Sequence, residues 1–209
     1  MPTLTSSSSA VRNVRTALML AMMSLLVACT SPAVKPNTSK DAINLNTQHL
    51  NSLKTISSFE VKGRIGIQTN PKGFSGSLIW QHSASGDDIA LFSPLGGQLA
   101  SIKRSDTNIT LIDGNGNSYS AVDAETLTKN VLGWQLPLTG LSDWVLGRPS
   151  TTPVTHSLWN TQGQLTHLAQ DGWNIEYDNY QQQGAYMLPG KIYLKSEQLN
   201  LKLLVEKWN

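Results

Sequence analysis

The chain has one cysteine in 209 residues, Cys29. That count excludes a disulfide framework and any site built on several thiolates, zinc and iron–sulfur sites included. Charge is scarce too: 14% of residues are charged, 16 basic against 14 acidic, for a formal net of +2. Arg12 and Arg15 have no acidic counterpart in the first 28 positions, so the part beyond carries 14 of each sign and a net of zero. A neutral body has no summed field to attract phosphate backbones, which argues against nucleic acid as a partner. The histidines, His49, His82, His156 and His167, fall neither at i, i+4 nor at i, i+2, so no metal site is expected. No serine stands in a Gly-x-Ser-x-Gly elbow, and Gly114-Asn115-Gly116 reads as a hairpin turn rather than a phosphate cradle. Asp87-Asp88, beside Gly86, reads as a solvated turn, because adjacent strand residues face opposite ways and cannot share a proton. No catalytic constellation, metal or cofactor is expected, and the chain does not read as an enzyme.

What is present begins with an address. Residues 1–28 run from a polar, basic start through an apolar stretch, Ala17 to Ala28, broken only by Ser24. This is a secretory leader pattern. Twelve helical residues span about 18 Å against a hydrocarbon core of roughly 30 Å, too short for a good permanent anchor. Leu26-Val27-Ala28-Cys29 resembles the bacterial lipobox, in which the cysteine thiol receives a diacylglyceryl group and cleavage then frees its amino group for a further acyl chain. Two or three chains hold durably on a membrane, since each buried methylene contributes about 0.8 kcal/mol. Thr30 follows the cysteine, and lipoproteins without an acidic residue there usually go to the outer membrane. Residues 29–41, with Pro32 and Pro36, read as an acylated terminus and flexible tether, and 42–209 as one folded domain.

Within that domain Ile43, Leu50 and Leu53 predict a short helix. From Phe59 the period becomes two: Phe59, Val61, Ile65 and Ile67 alternate with Glu60, Lys62, Arg64 and Gln68, and Gly63 and Gly66 leave room for curvature. A second strand carries Phe74, Leu78 and Trp80 on one face, and Gly86-Asp87 marks a turn. Further strands are predicted over 89–92, 99–104, 108–112, 118–122, 156–160, 164–170, 173–179, 191–196 and 198–208, with the turn Asp113 to Gly116 inside the series. In the last strand Leu199, Leu201, Leu203 and Val205 alternate with Asn200, Lys202, Glu206 and Trp208. Helices interrupt: Asp123 is a plausible N-cap for Leu127, Val131 and Trp134, and a second helix from about Leu138 carries Leu141, Trp144 and Val145. Ten or eleven strands with short connections and a helical insertion imply a mainly β fold, a curved antiparallel sheet or incomplete barrel covered on one side by helices. Six tryptophans (Trp80, Trp134, Trp144, Trp159, Trp173 and Trp208) suit either a filled core or the wall of an apolar cavity.

The segment from Gly133-Trp134-Gln135-Leu136-Pro137 to Trp144-Val145-Leu146-Gly147-Arg148-Pro149 resembles the signature of the LolB family of outer-membrane lipoprotein receptors. Phe92-Ser93-Pro94-Leu95-Gly96, the lipobox, the Val61-Lys62-Gly63-Arg64 strand start and the closing strand to Trp208 fit the same family. The resemblance implies a half-closed antiparallel barrel of about eleven strands with a helical lid. It also implies a monomeric receptor in the periplasmic leaflet of the outer membrane that takes lipoproteins from the soluble carrier LolA and inserts them into outer-membrane lipid. Acyl chains would lie in an apolar cavity, for which the best candidates are Trp80, Trp134, Leu141, Trp144, Leu201 and Leu203. Pro94, Leu95 and Gly96 would form a delivery loop whose leucine protrudes into solvent; the residues alone favour a Leu95 folded back under its strand, and the resemblance reverses that. An anchored scaffold that binds a protein partner is the alternative from another class, and a filled interior would favour it.

Cys29→Ala should leave a soluble or uncleaved form, because no other residue here offers a site for the anchor. Fractionation and intact-mass measurement check this; a wild type that is cleaved elsewhere and carries no acyl mass would overturn it.

Overall fold

The computed structural model of the protein describes residues 40–69 and 73–209. The leader, Cys29 and the tether up to residue 39 lie outside the described residues. The first helix, α1 (Lys40–Leu53), begins two residues before the domain boundary expected at 42. No helix among the described residues is long and apolar enough to cross a membrane.

Six strands follow in a meander: β1 (Phe59–Thr69), β2 (Gly73–Ser83), β3 (Gly86–Phe92), β4 (Gln98–Arg104), β5 (Ile109–Asp113) and β6 (Ser118–Ala121). The helices α2 (Ala124–Leu132) and α3 (Leu138–Trp144) come next. Then come β7 (Val154–Trp159), β8 (Leu165–Gln170), β9 (Trp173–Asp178), a small hairpin of β10 (Gln181–Gln183) and β11 (Tyr186–Leu188), β12 (Lys191–Lys195) and β13 (Leu199–Trp208). Eleven of these strands form one antiparallel sheet in the order β6-β5-β4-β3-β2-β1-β13-β12-β9-β8-β7. Its two edges, β6 and β7, do not pair with each other, so the sheet is not closed. The mainly β class, the strand count and the helical insertion agree with the reading from sequence. The β10–β11 hairpin was not predicted; three residues per strand are too few to show a period.

The pairing of β1 with β13 joins the first six strands to the last five. Their inward residues form continuous rows. Phe74, Ile67, Leu201, Leu194, Ile175 and Leu168 lie side by side across six strands. One bulge, between Lys62 and Gly63, keeps the phase: Gly63 pairs with Val205, but Lys62 pairs with Lys207 and Val61 with Trp208. Glu206 is the extra residue. Simple alternation puts Trp208 on the polar face; the bulge turns it inward, where it is 8% exposed and meets Phe59 edge-on at 5.7 Å.

The helices follow their caps. The Asp123 carboxylate accepts the Thr126 N–H at 2.7 Å, and Gly133 closes α2 in the left-handed conformation at φ 83. Trp134 therefore lies just beyond the helix rather than in its last turn. In α1 the buried face is Ala42 and Leu53, with Leu50 packed partly against the core, whereas Ile43 is 46% exposed. The expectation for Ile43 fails because Ala42 takes the inward position.

The Asp87-Asp88 turn is also corrected. The hairpin turns at Ala84-Ser85, and Asp87 lies within β3. Its buried carboxylate accepts from Trp80 Nε1 at 2.8 Å, His82 Nδ1 at 2.6 Å and Arg104 Nε at 2.6 Å. Asp88 faces the other way and pairs with Lys103 at 3.2 Å. Burial raises the Asp87 pKa, but the hydrogen bonds from His82, Trp80 and Arg104 and the Arg104 charge outweigh it, leaving the group below its ordinary value.

Removing this acceptor strands the Trp80 N–H and leaves Arg104 without its partner, so Asp87→Ala should cost about 3 kcal/mol at neutral pH. A carboxyl with a depressed folded-state pKa stabilises above its unfolded value of about 3.9 and loses that contribution as pH falls through the lower folded value. Denaturant curves for wild type and variant should therefore converge below about pH 4. A gap that stays constant down to the acid limit would overturn the assignment.

Candidate functional site

The concave face of the sheet and the helical segment enclose a void walled only by apolar side chains. Ile65, Leu78, Trp80, Ile89, Leu91, Ile192, Leu194, Leu201 and Leu203 come from the strands. Trp134, Leu136, Leu141 and Val145 come from α3 and its flanks. Its volume is about 30 Å³, well below the roughly 300 Å³ at which ligand pockets begin. Five of the six cavity candidates, Trp80, Trp134, Leu141, Leu201 and Leu203, stand on this wall.

Trp144 does not join them. It is 1% exposed and its indole N–H donates to Gln170 Oε1 at 2.8 Å. Gly140 allows this pose, since a Cβ there would stand 2.5 Å from the Trp144 ring. Helical spacing put Trp144 beside Leu141, but the ring turns toward β8 and packs 6.3 Å from Trp173. Gln170, itself buried, also accepts the Ser150 N–H at 3.0 Å and donates to the Thr152 carbonyl at 2.6 Å. A second latch lies nearby: the Arg148 guanidinium bonds Asp143 at 2.7 Å and donates to the carbonyls of Leu53, at the end of α1, and Ile56, beyond it. Spacing could not pick out Gln170, whose partners lie 18 to 26 residues away, nor the bonds of Arg148 to carbonyls 92 and 95 residues away.

The loop between β3 and β4 is the other feature. The Gly96 N–H donates to the Ser93 carbonyl at 2.9 Å, closing a turn with Pro94 and Leu95 at its two central positions, and the Ser93 N–H donates to the Gly97 carbonyl at 2.8 Å. Leu95 is 98% exposed. A bulge beside the loop, between Leu91 and Phe92, leaves Leu99 40% exposed, and the diagonal neighbour Ile112 is 36% exposed. By the strand pairing, this loop lies at the same end of the sheet as the start of β13 and of β9.

The comparisons with known proteins address the same region. A family model described as outer membrane lipoprotein LolB matches residues 57–208. The chain belongs to the LolB family. The outer-membrane lipoprotein LolB of Nitrosomonas europaea is 33% identical over 193 residues, covering 90% of both chains. That of Pseudomonas fluorescens is 32% identical over 160 residues, covering 77% of this chain and 78% of the relative. The solved structure of a LolA superfamily protein from Nitrosomonas europaea overlaps 78% of this chain and 92% of its own at a TM-score of 0.46 and 8% identity. The segment matched to LolB contains the void, the Trp144–Gln170 latch, the Arg148–Asp143 pair and the Leu95 loop.

Gln170→Leu removes the acceptor of the Trp144 and Ser150 N–H groups without changing the core volume much. The loss expected in urea unfolding is about 2–4 kcal/mol, from two buried donors left unpaired. An unchanged midpoint would show that Gln170 does not hold α3.

Proposed function

We propose that this protein is a membrane-anchored lipoprotein receptor of the outer membrane. It takes the acyl chains of a lipoprotein from a soluble periplasmic carrier of the LolA type, holds them between sheet and lid, and releases them into the bilayer. Cys29, as the acylated first residue, keeps the domain beside the acceptor membrane, which raises the local concentration for delivery. The observation that carries the reading is Leu95, an apolar side chain at 98% exposure on a closed turn. Such exposure forgoes roughly 1.5–3 kcal/mol of burial. Membership of the LolB family supports the same reading.

The void of about 30 Å³ is far smaller than an acyl chain. Cargo must therefore displace the lid strip, and affinity is lowered by the work of opening. The same small volume favours the second reading, an anchored scaffold with a filled interior, which would take up no acyl chain at all. Transfer needs no nucleotide on either step of the receptor reading; it runs from weaker to stronger binding.

Leu95→Glu tests the role of the loop. An exposed position contributes little to the core, so folding and acceptance from the carrier should be normal. Release should fail, since moving a carboxylate among acyl chains is costly where leucine is favoured. Labelled lipoprotein, purified carrier and liposomes measure acceptance and delivery separately. Normal delivery would sink the proposal for Leu95, loss of acceptance alone would make it a carrier contact, and no acceptance by wild type would leave only the scaffold.

A further inference from the structure

Trp134 has a second environment. One side of it walls the apolar void, and the other faces a larger vestibule of about 670 Å³ that also includes Lys129, Gln135, Trp173, Gln198 and Leu199. Strand pairing fixes where this vestibule lies. Leu203 and Leu201 line the void, and Leu199 is the next inward residue of β13 toward the strand end. Trp173 is the inward residue one step beyond Ile175 on β9. The vestibule thus continues the concave face outward past Trp134, at the end of the sheet that carries the Leu95 loop.

Its chemistry changes within that step. The void offers no polar atom, whereas the vestibule sets two indole rings against an ammonium and two carboxamides. The side chains of Lys129, Gln135 and Gln198 make no hydrogen bond or ion pair among the described residues, so their donors are free to take carbonyl oxygens. Two carboxylates, Asp171 and Glu197, also border it. One positive and two negative groups do not make an anion site, and Asp171 is already engaged by Thr152 at 2.7 Å. Neutral acceptors suit the set best.

We infer that the vestibule binds the polar head of the cargo: the ester and amide carbonyls of its acylated cysteine and the first peptide residues after it. This rests on the receptor reading and extends it. Acyl chains taken past Trp134 must leave their linkages outside, because an ester or amide carried into a wall of leucines would lose its hydrogen bonds. Lys129, Gln135 and Gln198 replace those bonds, and Trp134 and Trp173 cover the apolar neck. A lid alone selects for hydrocarbon; the vestibule selects for hydrocarbon attached to a peptide.

The test uses the full-length protein in liposomes and two synthetic triacylated cysteine peptides, one with a diazirine on the residue after the cysteine and one with it at an acyl terminus. Photolysis and peptide mapping should place the head label on Lys129, Gln135 or Gln198 and the tail label on the void wall at Leu201 or Leu203. In the double variant Lys129→Ala, Gln198→Ala, labelling by the lipopeptides at subsaturating concentration should fall about tenfold, the equivalent of two ordinary hydrogen bonds. Labelling by a headless photoreactive alkane should be unchanged. Equal loss for both, no loss for either, or a head label outside the vestibule would overturn the inference. A phospholipid bearing the same diazirine and losing as much as the lipopeptide would also overturn the peptide-head assignment. If neither the alkane nor the tail label reaches the void in wild type, the receptor reading itself fails.

Discussion

The pairing of the first strand with the last is the contact on which the rest of the molecule depends. Without the β1–β13 ladder there are two smaller sheets, each with one apolar face turned to water. With it there is one curved surface whose inward rows run unbroken from β2 to β8. The ladder survives only because a bulge absorbs Glu206. Without that bulge the residues after Val205 would be one position out of phase, and Trp208 would face away from Phe59. That end is then finished by Asp87, which ties the Trp80 ring, part of the void wall, to Arg104 on β4. The loops and the vestibule lie at the opposite end, where Gln170 at the end of β8 ties Trp144 and Ser150.

The cover over this surface is held unevenly. The α3 helix and its following turn are fixed by buried polar contacts: Trp144 to Gln170, and Arg148 to Asp143 and to the carbonyls near the end of α1. Among the described residues the strip from Gly133 to Leu136 has one side-chain tie, the Leu136 N–H to Thr128 Oγ1 at 2.9 Å; its other hydrogen bonds are local backbone ones, to the Lys129 carbonyl and from the Leu138 N–H. Apolar contact is non-directional and tolerates sliding, whereas a buried hydrogen bond broken without replacement costs about 1–3 kcal/mol. On the receptor reading, the strip bearing Trp134 is therefore the part that yields to cargo at least cost, and α3 is the fixed jamb.

Much of this was legible in the sequence where the signal is local. Period-two runs gave the strands, Asp123 and Gly133 bracket a helix by their capping chemistry, and proline followed by leucine and glycine put an apolar side chain on a turn. The misreadings depend on packing or pairing that no single stretch of sequence displays. Asp87 looks like a turn residue until pairing brings Trp80, His82 and Arg104 around it. Trp208 falls on the wrong face unless the bulge opposite Lys62 is known. Trp144 has the right helical phase to face the void, but Gly140 and Gln170 turn its ring away. Ile43 loses the inward place to the smaller Ala42. The size of the void is beyond any pattern, since it depends on how closely Trp134 and Leu141 settle onto Leu201 and Leu203.

That closeness bears on how a receptor without an energy source could work. A wide preformed apolar chamber would bind acyl chains with little opposing cost, and release into a bilayer would then have to overcome the full hydrophobic gain. Here the void is only about 30 Å³, so on the receptor reading accepting a chain means giving up contacts between lid and sheet. Apparent affinity is reduced by the fraction of time the lid stands open. The bilayer imposes no such cost, and each methylene gains about 0.8 kcal/mol on entering it as it would in any apolar phase. The difference between the two sites then comes chiefly from lid packing rather than from the cargo. On the receptor reading, downhill release then follows for any acyl chain long enough to open the lid.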